Sequence, residues 1–382
     1  MFFSHRFIFI VLLGLLNLTQ NAFTAPKVIP KAPIIAANSY IMIDYDSGKV
    51  LAEKNSNVRV SPASITKVMT AYVVFSELKA GNIKLDDLVT ISKKAWQTQG
   101  SRMFIEVNRK VSVEKLLQGM IIQSGNDASV ALAEYVAGSE DSFAALMNQH
   151  AGSLGMSKTQ FLNSTGLPDA EHLTTAKDLA ILASALIRKF PEYYKWYSTK
   201  EFTYNKIKQF NRNRLLWRDK SVDGMKTGYT KDAGYCLLAS SKRENMRIIT
   251  VVLGTKSKSA RAQESQKLLN FGFRFFETHA LYKANVALKH IKAYKGNLPE
   301  LGLGLKETLF VTIPRGQYKN LKPMINVKDK IIAPVLKGQP LGEVEIKLND
   351  KVIAKKSVVA LHDLAEGSLW QRGRDSIILM FK

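Results

Sequence analysis

The residues best suited to chemistry lie in Ser61-Pro62-Ala63-Ser64-Ile65-Thr66-Lys67. Ser61 reads as a helix cap and Pro62 as the first helical residue, so Ser64 falls in the first turn. Free N–H groups and the helix dipole favour negative charge there. Lys67 is three residues further on, which raises its amine over the same face one turn away. A serine hydroxyl needs a base to become a nucleophile, and a desolvated lysine near other cations can be that base. The spacing alone is weak, because Ser-x-x-Lys recurs at Ser76 and Ser112. Two motifs strengthen it. Ser124-Gly125-Asn126 follows an apolar run ending near Ile122, and Lys226-Thr227-Gly228 opens a strand-rich stretch. A cation or a helix N-terminus close to Lys67 is expected to lower the Lys67 pKa.

Other reactive types offer less. Cys236 is the only cysteine, sits in the strand-like run Gly234–Ser240 and reads as a small buried hydrophobe. The histidines form no HxxxH or HExxH pair, so neither a metal site nor a cofactor is expected. Asp169 and Glu171, in a loop over Phe161–Thr175, read as loop charges.

Three kinds of segment must position these groups. Ser39–Asp44 and Lys49–Glu53 flank an Asp-Ser-Gly turn and predict a hairpin. From Pro62 to about Ile187 the periodicity is helical: Leu116, Leu117, Met120 and Ile121 share one face, as do Leu132, Ala133 and Val136. Strands return from Tyr204, at Tyr235–Ser240 and Arg247–Leu253, and a closing helix is predicted over Ala260–His279. The pattern implies an α/β (α+β) domain over residues 30–283, an antiparallel sheet covered by helices. Residues 284–365 differ. Short β runs at Leu309–Ile313, Ile331–Val335, Val344–Leu348 and Val352–Leu361, with an Asn349-Asp350 turn, predict a small all-β domain.

The two ends of the chain bear on location. Arg6 precedes the apolar run Phe7–Leu18, which is too short to span a bilayer comfortably and reads as a secretory signal over residues 1–25. The alternative is an uncleaved anchor. Lys and Arg number 55 against 32 Asp and Glu, a formal charge of +23. That suits an anionic membrane, polymer or nucleic acid, and export disfavours the last. In residues 366–382, Leu369, Trp370, Ile377, Met380 and Phe381 fall on one side of a helix. Arg372, Arg374 and Asp375 fall away from it, a pattern suited to a lipid interface. The alternative is a helix docked on its own protein.

Ser-x-x-Lys, Ser-x-Asn and Lys-Thr-Gly together, in this order, form the set of the serine β-lactamases and penicillin-binding proteins. The chain resembles the low-molecular-mass penicillin-binding proteins of the serine D-alanyl-D-alanine carboxypeptidase type over nearly its whole length. Asn211-Arg212-Asn213, Leu215-Leu216-Trp217, Val222-Asp223-Gly224 and Gly272–Thr278 extend the likeness. The resemblance implies a penicillin-binding/serine β-lactamase-like catalytic fold. It also implies a periplasmic enzyme on the outer face of the inner membrane that trims peptidoglycan stem pentapeptides and is acylated by β-lactams. By resemblance, Ser64 attacks the penultimate D-Ala carbonyl with Lys67 as base, and Ser124 relays the proton to the departing D-Ala. Asn126 holds the substrate amide, Lys226 adds positive potential close to Lys67, and Thr227 meets the terminal carboxylate. Gly228 leaves room for the substrate backbone, and the N–H groups of Ser64 and Tyr229 bind the oxyanion. Arg212 and Arg261 match basic residues around the carboxylate site.

The departures are Gly125 in place of Asp, Tyr229 where relatives often carry His, and Arg214 where Gly is usual. Glu-x-x-Leu-Asn, which supplies the deacylating Glu of class A β-lactamases, is missing from Phe161–Thr175. A β-lactamase, a D,D-endopeptidase and a non-catalytic penicillin-sensing or wall-binding protein stand as the rival readings.

Overall fold

The computed structural model describes residues 30–381; the expected signal segment lies outside them. Ser39–Asp44 and Val50–Lys54 form the expected hairpin, which adds to Met246–Thr255, Gly234–Arg243 and Val222–Thr230 in one antiparallel five-stranded sheet. The order along the sheet is hairpin, Met246–Thr255, Gly234–Arg243, Val222–Thr230, so the Lys-Thr-Gly strand is an edge. Ile248, Val251 and Val252 are fully buried between two apolar clusters, because helices cover both faces. One face carries Lys67–Ala80, Val113–Ile122, Asn126–Ala137 and Ala176–Lys189; Lys258–Phe275 covers the other.

Two local expectations change. Ser61 does not cap the nucleophile helix. Pro62 takes the cap position of a 3₁₀ turn, Ala63–Thr66, and the α-helix begins only at Lys67. The closing helix runs Lys258–Phe275 and ends four residues before His279. Phe276–Tyr282 is a strand paired antiparallel with Leu309–Pro314, where Phe276 and Thr278 point inward at period two. Phe275 and Phe276 fit a helical stripe and a strand start equally well. The partner strand decides.

The β-rich region holds a six-stranded sheet in which Pro340–Leu348 and Lys351–Ala360 form the hairpin turned by Asn349 and Asp350, both with positive φ. Leu301, Leu303, Val344, Ile346 and Val358 make its core. The Ile331–Val335 run is a strand only over Ile331–Ile332, since Pro334 has no N–H to continue a ladder. The Asp44–Gly48 turn meets this region directly. Asp44 accepts from Ser47 and from Thr278 Oγ1 (2.7 Å), and Lys49 Nζ donates to the Thr312 carbonyl (2.9 Å).

The last helix, Leu369–Met380, starts with a capping box between Ser368 and Gln371. Leu369 and Trp370 are 80% and 85% exposed, and Ile377, Met380 and Phe381 are exposed with them. Asp375, on the opposite side, is buried at 5% and accepts from the Lys295 N–H (2.6 Å). The helix is therefore mounted by its polar side, and its apolar stripe is left uncovered. Asp375 falls away from the stripe as expected, and there it serves as a docking group. No described helix is long and apolar enough to cross a membrane.

Candidate active site

Three separate elements meet at a cleft of about 460 Å³. Ser64 comes from the 3₁₀ turn, Ser124 and Asn126 from the start of Asn126–Ala137, and Thr227, Gly228 and Tyr229 from the edge strand. Arg212 and Arg261 also line it. Lys67 and Lys226 lie just behind, both buried.

The Lys67 amine donates to Ser64 Oγ (3.1 Å), Asn126 Oδ1 (2.7 Å) and the Thr165 carbonyl (2.5 Å). All three acceptors are neutral. Burial therefore dominates, and it lowers the Lys67 pKa from 10.5 to about 7; Arg212 acts in the same direction, while Asp127 and Glu140 oppose it. The expected cation was Lys226, yet desolvation and Arg212 lead. Lys226 is held well below its ordinary value by burial first, then by Lys67, Arg212 and Arg261. Its amine donates to Ser124 Oγ (2.8 Å). Two serines thus each face a lysine whose burial weakens its hold on its proton.

Asn126 is committed on both sides of its amide. Its Oδ1 holds Lys67 and its Nδ2 donates to the Gln99 carbonyl (2.6 Å). Ser124 adopts φ of 69°, which turns its side chain out of the helix that follows. Arg261 donates to the Gly228 carbonyl (3.0 Å) and lies over the Tyr235 ring, and Arg212 donates to the Gln123 carbonyl (2.9 Å). Both guanidiniums are held by neutral groups, so their charge stays available to a ligand. Gly228 has little room for a side chain: a Cβ would stand 3.0 Å from the Pro62 carbonyl. Tyr229 is half exposed and stacks on Tyr235 at 4.2 Å. Arg214 adopts ordinary helical angles, so a glycine has no conformational advantage at that place.

The supporting shell escaped the motif reading. Asp127, buried, accepts from the N–H groups of Met103, Phe104 and Ile105 and fixes the loop beside Ser101. Asn163 Oδ1 accepts from Thr165 and Gly166, which aims the Thr165 carbonyl at Lys67. Gly166 has φ of 80°, and a Cβ there would stand 1.9 Å from the Ala63 carbonyl. His172 takes the Leu162 N–H on Nδ1, so Nε2 carries the proton and donates to Thr66 Oγ1, which donates to the Ala63 carbonyl. Burial lowers the His172 pKa to about 4, which keeps that ring neutral. Asp127, directly after the Ser-x-Asn motif, was the one sequence signal available. The contacts that tie the loop over residues 161–175 to the nucleophile turn, Thr165 to Lys67 and His172 to Thr66, join residues about a hundred positions apart. Asp169 and Glu171 are exposed. Cys236 is buried in the sheet, its pKa raised by burial to about 11.

The D-alanyl-D-alanine carboxypeptidase family model matches residues 26–257, and that of the penicillin-binding protein 5 C-terminal domain matches 276–366. The chain is 46% identical to D-alanyl-D-alanine carboxypeptidase DacC of Escherichia coli, over 94% of this chain and 92% of that one. It is 43% identical to DacA of the same organism, over 92% and 90%. Penicillin-binding protein 5 from Haemophilus influenzae superposes with a TM-score of 0.85 at 42% identity, over 89% of this chain and all of that one. With catalytic and C-terminal regions both matched, the chain belongs to the D-alanyl-D-alanine carboxypeptidase family.

Proposed function

We propose that this protein is a serine D-alanyl-D-alanine carboxypeptidase that removes the terminal D-Ala from peptidoglycan stem pentapeptides through an acyl-enzyme on Ser64. The observation that carries the reading is the Ser64 hydroxyl 3.1 Å from a lysine amine whose pKa lies at about 7. Neutral Lys67 takes the Ser64 proton as Oγ bonds to the penultimate D-Ala carbonyl. The N–H groups of Ser64 and Tyr229 hold the oxyanion. The C–N bond then breaks, and the proton taken by Lys67 passes by way of Ser124 to the departing amine. Lys226 holds Ser124 in place. Thr227, Arg212 and Arg261 bind the terminal carboxylate, Asn126 turns to the substrate amide, and Gly228 lets the substrate backbone approach the strand. Water releases the acyl group.

A β-lactam follows the same first step, and a related penicillin-binding protein of Listeria monocytogenes has been solved in its ampicillin-bound form (TM-score 0.59, 30% identity). The exposed stripe of the last helix lies in an anionic membrane surface, so the enzyme is peripheral on the periplasmic side. Its sheet domain, residues 30–283, does the chemistry, and the β-rich region over 284–365 carries the helix. Labelling with a fluorescent penicillin and D-Ala release from a pentapeptide test the activity together. A carboxypeptidase holds the label and releases D-Ala, a β-lactamase turns the label over quickly, and a non-catalytic binder releases no D-Ala.

A further inference from the structure

The cleft is one-sided in charge. Arg212, Lys258 and Arg261 line it, Lys67 and Lys226 lie behind, and no Asp or Glu is among the described lining residues. Among the described residues none of these five basic side chains has an acidic partner within 4 Å. One terminal carboxylate, engaged by Arg212 and Arg261, leaves a surplus at the mouth. Lys258 stands there. It is the first residue of Lys258–Phe275, fixed in place by the Ser257 cap, and Arg261 follows one turn later on the same face. With Thr230 and Tyr235 it lines the stretch of cleft beyond Gly228 and Tyr229. Arg214 adds to this field from the neighbouring loop, since its charge is one of those acting on Arg261.

We propose that Lys258 is the anion-binding residue of a further subsite, which takes a second carboxylate carried by the part of the substrate that stays on the enzyme as the acyl group. The proposal rests on the carboxypeptidase reading above. An uncompensated cluster of like charges repels itself, and a dianionic substrate relieves that repulsion where a monoanionic one leaves it in place. Lys258 is exposed, so the gain is that of a solvent-facing ion pair, at most about 1 kcal/mol or about fivefold. It acts on binding before chemistry and belongs in KM.

The test uses the full chain and two blocked tripeptides ending in D-Ala-D-Ala, one with an acetylated lysine side chain before them and one with a succinylated side chain. The two differ by one carboxylate. At low salt the succinylated peptide is expected to show kcat/KM about fivefold higher, through KM, and the preference shrinks at about 0.5 M salt. Lys258→Gln should abolish the preference and Lys258→Glu invert it, with thermal melting checking that both variants are folded. Equal kcat/KM for the two peptides overturns the proposal, as does a preference that survives Lys258→Glu. If neither peptide loses D-Ala and penicillin does not label Ser64, the activity reading itself fails, and this subsite with it.

Discussion

The cleft and the last helix depart from the ordinary partition of side chains in opposite ways. In the cleft the chain buries charge: Lys67 and Lys226 are almost fully removed from water and are held by hydroxyls, an amide and carbonyls. At the tail it exposes apolar groups, while the one buried residue of the helix is an acid. Desolvating a lysine without a carboxylate costs stability and yields a neutral amine near pH 7. Leaving Trp370 and Met380 in water costs solubility and presents an exposed apolar surface. Each departure is stable because its surroundings are rigid. The first rests on the Asn163 and Asp127 scaffolds, the second on Asp375 against the Lys295 turn.

The contrast can be broken at several points. Ser64→Ala should abolish penicillin labelling and lower D-Ala release by several orders of magnitude in a folded protein. A labelled peptide mapping to Ser76 or Ser112 would overturn the nucleophile. Lys67→Arg comes next. An arginine does not give up its proton at working pH, so acylation should fall on the order of a thousandfold. In the proposed mechanism the base is the neutral amine, so the acylation rate should climb as pH rises through about 7 and level off above it. A rate flat between pH 5 and 9 would require another base.

Gly166→Ala probes the scaffold without touching a reacting group. The added methyl meets the Ala63 carbonyl and sits at positive φ, so the nucleophile turn must shift. Activity should drop about a hundredfold, the usual consequence of misplacing a reacting atom by an ångström. Near-normal turnover would show that the turn is compliant. At the other region, a chain ending at Gly367 should lose binding to anionic vesicles yet release D-Ala from soluble peptides at the full rate. If both forms partition alike, the stripe has another partner. The smallest effect is Asp375→Ala, which removes the acceptor for the Lys295 N–H and should cost about 1 kcal/mol of helix docking. Faster amide exchange at Lys295 would report it.

The sequence by itself determined what is local or carried by residue identity. Alternation around Asp46-Ser47-Gly48 and Asn349-Asp350 specified two hairpins, because turn chemistry acts within four residues. Period 3.6 marked Val113–Ile122, and the tail's stripe was legible since that helix meets no large partner. The three motifs picked out residues that the fold brings together at one cleft. Only the tertiary structure decided how deeply Lys67 is buried and which carbonyl holds it. It also decided that desolvation, with Arg212 second, is the main cause lowering the Lys67 pKa, that Phe276 leaves the helix for a strand, and that Asp375 faces inward. Each of these depends on a neighbour distant in sequence: Thr165, Arg212, Leu309–Pro314 and Lys295. Desolvation and strand pairing are properties of what packs against a residue, and periodicity along one segment carries no record of that.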